Sequence, residues 1–270
     1  MTTANTSGFT NGVQLNVNAH LSGSKGAIIF EGSASSFSTL DASAVDGVEV
    51  NANLTTTTGA LTLDGDSPNA EDTLSGKDYI IFASGITLTS AGNISLSATN
   101  GGMTAAGALT LSATSGLTMT GAMTGAGAVA LTANSGITLN SSISTSSGSL
   151  NINANSSALS LGSVTLSSAG ALTLSSSSIS SSGNLALTST GSTISVGSAV
   201  TSSGSVAMTA SSGLTLSNST LTGSGSVSLE GGSALTLASG TTITSSAGSI
   251  TLGASTGSIT ANGALTLSSN

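Results

Sequence analysis

Residues 107–139 read GALTLSATSGLTMTGAMTGAGAVALTANSGITL. Within them Leu109-Thr-Leu111, Leu117-Thr-Met119, Val129-Ala-Leu131 and Ile137-Thr-Leu139 alternate an apolar side chain with a small one, and no residue is charged. Alternation with a period of two places every second side chain on one face of an extended strand. Each tripeptide therefore reads as a short strand with one buried face. Between the strands lie Gly, Ala, Ser and Asn, residues that turn a chain at low cost.

Working outward from this stretch, the strands fall into three columns. The first runs Ile94, Leu117, Ile137, Leu159, Ile179, Val200, Leu221, Ile243 and Leu265. The second runs Met103, Met123, Ile143, Val164, Leu185, Val206, Val227 and Ile250. The third runs Leu109, Val129, Leu150, Leu172, Ile194, Leu214, Leu235 and Ile259. Steps within a column are 20 to 24 residues, and the three-beat order never breaks. A fixed period of this length is the mark of a repeat architecture. Three short strands in about 21 residues predict an all-β fold, a single-stranded parallel β-helix in which each coil is a triangle stacked on the last. Left-handed β-helices run on hexapeptides, about 18 residues per coil, so the longer period favours the right-handed form. Alternation predicts Leu and Ile inside, Thr and Ser outside, with glycine at corners where it accepts positive φ.

The N-terminal part fits the same columns less cleanly. Ile28 to Val48 and Leu40 to Leu61 keep the step, and Val48/Val50, Leu61/Leu63, Ile81 and Ile86/Leu88 join the columns if residues 64–77 form a loop thrown out from a corner. The whole chain then reads as one solenoid of about ten to eleven coils. Residues 1–78 form an irregular, charged beginning and residues 79–270 a regular shaft.

Composition agrees. Ser and Thr supply 100 of 270 residues, charged residues are 4%, and there is one proline and no cysteine. Disordered chains are rich in charge and proline, so low complexity here means repetition. The absence of cysteine excludes disulfides and thiolate metal sites. Nine of ten acidic residues and both lysines lie in residues 1–78, and beyond them the only charged residue is Glu230. An acidic chain with two lysines and no arginine cannot neutralise a phosphate backbone, which argues against nucleic acid as a partner. Residues 1–20 show no basic start followed by an apolar run, so no signal peptide is read there. The longest apolar run, Tyr79 to Ala83, falls short of the ~20 residues that span a membrane.

The segments GNISLSA (92–98), GALTLSA (107–113), GAVALTA (127–133), GSLNINA (148–154) and GNLALTS (183–189) resemble the repeats of filamentous-haemagglutinin-type adhesins, bacterial surface proteins exported by two-partner secretion or as autotransporters. The resemblance covers about residues 59–270. It implies a right-handed β-helical shaft, an extracellular or cell-surface location, and an adhesive or structural role.

Few residues invite chemistry. Asp64, Asp66, Asn69, Glu71 and Asp72 surround a glycine and a proline and form a weak Ca²⁺ candidate, with a solvated loop as the plainer reading. Catalysis needs titratable groups brought together, and the shaft offers only Glu230 and Tyr79, so no enzyme activity and no cofactor are expected. The outward pairs of the first column, among them Thr118/Thr120, Thr220/Thr222 and Thr242/Thr244, form a hydroxyl array like an ice-binding face, interrupted at Gly162 and Ala199. The shaft's final segment, Gly263-Ala-Leu-Thr-Leu-Ser-Ser-Asn270, carries no helix, proline or charge to block a strand edge. The expected function is a structural filament subunit that stacks head to tail on itself, with Leu265, Thr266, Leu267 and Ser268 meeting Val13, Leu15 and Val17 of the next copy. The alternative is an adhesin shaft that binds a receptor or glycan through residues 1–78.

Overall fold

The computed structural model describes residues 2–5, 14–19, 27–67, 78–217 and 220–270. Among them are 35 strands and no helix. The strands form three sheets of 12, 11 and 12 strands, visited in turn along the chain. The first sheet runs from Thr2–Asn5 to Ile250–Ala254, the second from Ser35–Phe37 to Ser258–Ala261, and the third from Gln14–Ala19 to Leu265–Ser269. Each strand pairs in parallel with the strand one coil earlier and one coil later. The chain is thus a parallel β-solenoid of about eleven coils, as the period predicts.

The registers reproduce the sequence columns closely. In the second sheet Leu109 faces Val129, Val129 faces Leu150, Leu150 faces Leu172, and the row continues through Ile194, Leu214 and Leu235 to Ile259. Two positions differ by one pleat. Ile143 faces Leu166 and not Val164, and Leu265 faces Thr241 while Ile243 faces Leu267. These strands have five residues and three inward positions, so alternation alone does not say which one aligns. In the run Tyr79–Phe82 the inward residues are Ile80 and Phe82, and Ile81 faces outward, the reverse of the expected column.

The core is a stack of Leu, Ile, Val, Met and Ala, widened by Phe30, Phe37 and Phe82 near the N-terminal end. Not every inward position is apolar. Strands such as Leu185–Ser189 bury Leu185, Leu187 and then Ser189, although the alternation rule alone places serine outside. The reason is the corner that follows. There the chain turns away from its sheet and leaves carbonyls without ladder partners, and a buried hydroxyl supplies one. Ser189 Oγ donates to Gly170 O one coil earlier at 2.8 Å. Ser202 Oγ donates to Gly183 O at 2.7 Å, Ser181 Oγ to Gly162 O at 2.8 Å, and Ser245 Oγ to Gly225 O at 2.9 Å. Ser245→Ala is expected to leave the Gly225 carbonyl without its hydroxyl donor and to destabilise the rod by about 1–3 kcal/mol, read from a urea unfolding midpoint.

Corner glycines serve two purposes. Gly121 has φ +117, a conformation that side chains resist. Gly148 lacks positive φ, but a Cβ there would lie 2.2 Å from Ala128 N in the coil below. Close stacking of coils, more than backbone handedness, therefore demands glycine at Gly148.

Candidate functional surfaces

Three surfaces depart from the plain shaft. The first is an acidic corner between the third and first sheets near the N-terminal end. Strand Leu61–Asp64 ends there, and Asp66 turns inward to 2% exposure. Its carboxylate accepts the backbone N–H of Asn100 at 3.1 Å and the Asn100 side-chain amide at 3.2 Å. Asp64 Oδ1 accepts the N–H of Asp66 at 3.1 Å, closing an Asx turn. Asp66 is thus a clamp between coils and not part of a solvated loop. Asn69, Glu71 and Asp72, the other members of the Ca²⁺ candidate, lie outside the described residues. Among the described residues no three His, Cys, Asp or Glu side chains converge as a metal site. Asp66→Ala is expected to cost about 1.5–3 kcal/mol, the worth of charged hydrogen bonds in a buried place, measured as a lowered melting midpoint.

Beside this corner, Tyr79 donates its phenol proton to Glu49 Oε1 over 3.3 Å. Burial, then the Glu49 charge and its hydrogen bond, then the Asp46 charge push the phenol above its usual value. It therefore stays a neutral donor. Asp46 is 2% exposed, and its Oδ2 has no hydrogen-bond partner among the described residues. The cluster pairs one phenol with carboxylates and contains no described nucleophile activated by a base. His20 lies outside the described residues.

The second surface is the outward face of the third sheet. Its central row is Thr62, Ser95, Thr118, Thr138, Ser160, Ser180, Thr201, Thr222, Thr244 and Ser268, each in direct register with the next. The interruptions expected at Gly162 and Ala199 fall in the flanking rows, and the central row has none. Thr220 and Thr242 also belong to a flanking row, in register with each other. Where Gly162 offers no side chain, the face opens into a groove of about 360 Å³ lined by Thr138, Asn140, Ser160 and Ser180.

The third surface is the outer face of the last coil. Ile259 and Leu267 are 46% and 50% exposed, whereas Leu235 and Ile243, their partners one coil back, are fully buried. Strands Ile250–Ala254, Ser258–Ala261 and Leu265–Ser269 form the edges of the three sheets there. At the opposite end Leu15 and Val17 lie in the edge strand Gln14–Ala19, and Val13 lies outside the described residues. No described helix is long and apolar enough to cross a membrane. No protein-family model, curated protein or solved structure matches the chain.

Proposed function

We propose that the chain is a structural subunit, a rigid β-solenoid rod whose last coil stacks on a second copy to build an extracellular filament. The observation that carries this reading is the coil-to-coil contact itself: parallel ladders join each coil to the next, and Ile259 and Leu267 cover the fully buried Leu235 and Ile243 of the coil before. The same contact can extend to a coil of a second copy, because each coil offers the next one like side chains and parallel strands. A matching coil laid at the sheet spacing of about 4.8 Å covers the side chains and pairs the edges together. Edge charges normally prevent such pairing, and from residue 79 onward the only charged residue is Glu230. A head-to-tail contact of this kind does not close on itself, so it propagates as a fibre. The receiving edge is strand Gln14–Ala19, with Leu15 and Val17. The resemblance to haemagglutinin-type repeats supports a place outside the cell. Sedimentation across a concentration series tests the reading. Growth into long species with rising concentration supports it. A single monomeric species throughout rejects it and favours a shaft segment of a surface adhesin.

The unbroken hydroxyl row on the third sheet favours a second reading, ice binding. It spaces ten hydroxyls one coil apart along the rod. A thermal-hysteresis assay decides it. Activity lost when Thr222 and Thr244 are made bulky supports ice binding, and no activity in the parent chain ends it.

A further inference from the structure

The sequence holds three Asn-Gly pairs, at Asn11, Asn100 and Asn262. Asn11 lies outside the described residues. The other two have the same chemistry and are both exposed, but their hydrogen bonding differs. Glycine after asparagine leaves the following amide nitrogen unshielded by a side chain, so that nitrogen can approach the asparagine side-chain carbonyl. Whether it does depends on what holds the two groups.

At Asn100 both are held. The Gly101 N–H donates to Asp78 O at 3.0 Å. The Asn100 side-chain amide donates to Asp66 Oδ1 at 3.2 Å, and its backbone N–H donates to Asp66 Oδ2 at 3.1 Å. At Asn262 neither is held. The residue is exposed, in the corner after strand Ser258–Ala261. Its own N–H donates to Leu237 O at 3.0 Å, but the Gly263 N–H has no backbone acceptor among the described residues. The unheld N–H recurs at this corner in the coil before. One coil back the matching pair is Ala238, half-buried and donating its N–H to Leu216 O at 3.0 Å as Asn262 does to Leu237 O, and Ser239, exposed and with no backbone acceptor for its N–H among the described residues.

We infer that Asn262 is a site of spontaneous deamidation in the folded protein, and that Asn100 is protected by the Asp66 clamp. Hydroxide removes the Gly263 amide proton, and the nitrogen attacks the Asn262 side-chain carbonyl carbon. The bond to the side-chain nitrogen breaks, and ammonia leaves with a proton from water. Water then opens the five-membered imide at either carbonyl, giving aspartate or isoaspartate. No oxidant, metal or cofactor takes part. The product places a carboxylate on a shaft where Glu230 is the only charged residue beyond position 78. The inference stands independently of filament assembly.

The test is peptide mapping by mass spectrometry after the full folded chain is held at mildly alkaline pH. A gain of about 1 Da at Asn262 is expected, with Asn100 slower by about tenfold or more because its hydrogen bonds must open first. In urea the two sites should convert at similar rates. Asn262 unchanged in the folded chain while the unfolded chain converts would overturn the inference, as would equal rates in the folded chain. Asp66→Ala should raise the rate at Asn100 and leave Asn262 as it was. No rise at Asn100 would remove the protective role given to Asp66.

Discussion

Leu131→Asp is expected to abolish the folded rod around its coil, whereas Thr110→Asp is expected to leave it intact. Leu131 is fully buried, between Leu111 in the coil before and Ile152 in the coil after. The substitution removes a core side chain, worth about 2–5 kcal/mol. It also puts a carboxylate into the core, where no Lys or Arg stands among the described residues, which adds several kcal/mol more. Whole domains are stable by only about 5–15 kcal/mol, so the sum approaches the total. A solenoid is held together by neighbour contacts, and a failed central coil separates the coils on its two sides. Thr110 occupies an exposed position in strand Leu109–Ala113, next to the same core. A charge there should shift stability by no more than about 0.5 kcal/mol. Circular dichroism during thermal unfolding compares the two variants. Equal melting curves would mean that Leu131 does not face a stacked core.

Ile259→Lys combined with Leu267→Lys is expected to leave each rod folded and to end its growth into filaments. Both side chains are about half exposed in the single rod, so lysine costs the fold little there. In a stacked pair the same positions become interior. Each lost Ile or Leu contact removes about 1.5–3 kcal/mol of burial. Two together raise the concentration needed for assembly by roughly 100-fold or more, before the cost of burying two ammonium groups is counted. Light scattering at matched concentrations of parent and variant checks this. Filaments that persist unchanged in the double variant would place the contact elsewhere on the molecule.

The periodicity of the shaft was legible because its strands repeat one simple contrast, Leu or Ile against Thr or Ser. The second-sheet row from Leu109 to Ile259 could be traced by counting alone. Reading failed where the contrast failed. Tyr79-Ile-Ile-Phe82 is apolar at every position, so only the register with Val48 and Met103 shows that Ile80 points inward. The buried Ser189, Ser202 and Ser245 look like any other serine in the sequence. Their depth follows from corner carbonyls that no sequence pattern displays. In the sequence Asp66 looks like part of a solvated loop, because its partner, Asn100, is 34 residues away and one coil on. The hydroxyl face was legible in outline, but its continuity depended on knowing which rows align.

The proposed filament is built from rods stacked end on end. Electron microscopy of the purified chain at micromolar concentration tests it most directly. Filaments one rod wide, with an axial repeat near 50 Å from about eleven coils at about 4.8 Å each, are the expected result. Single rods about 50 Å long at every concentration would contradict it.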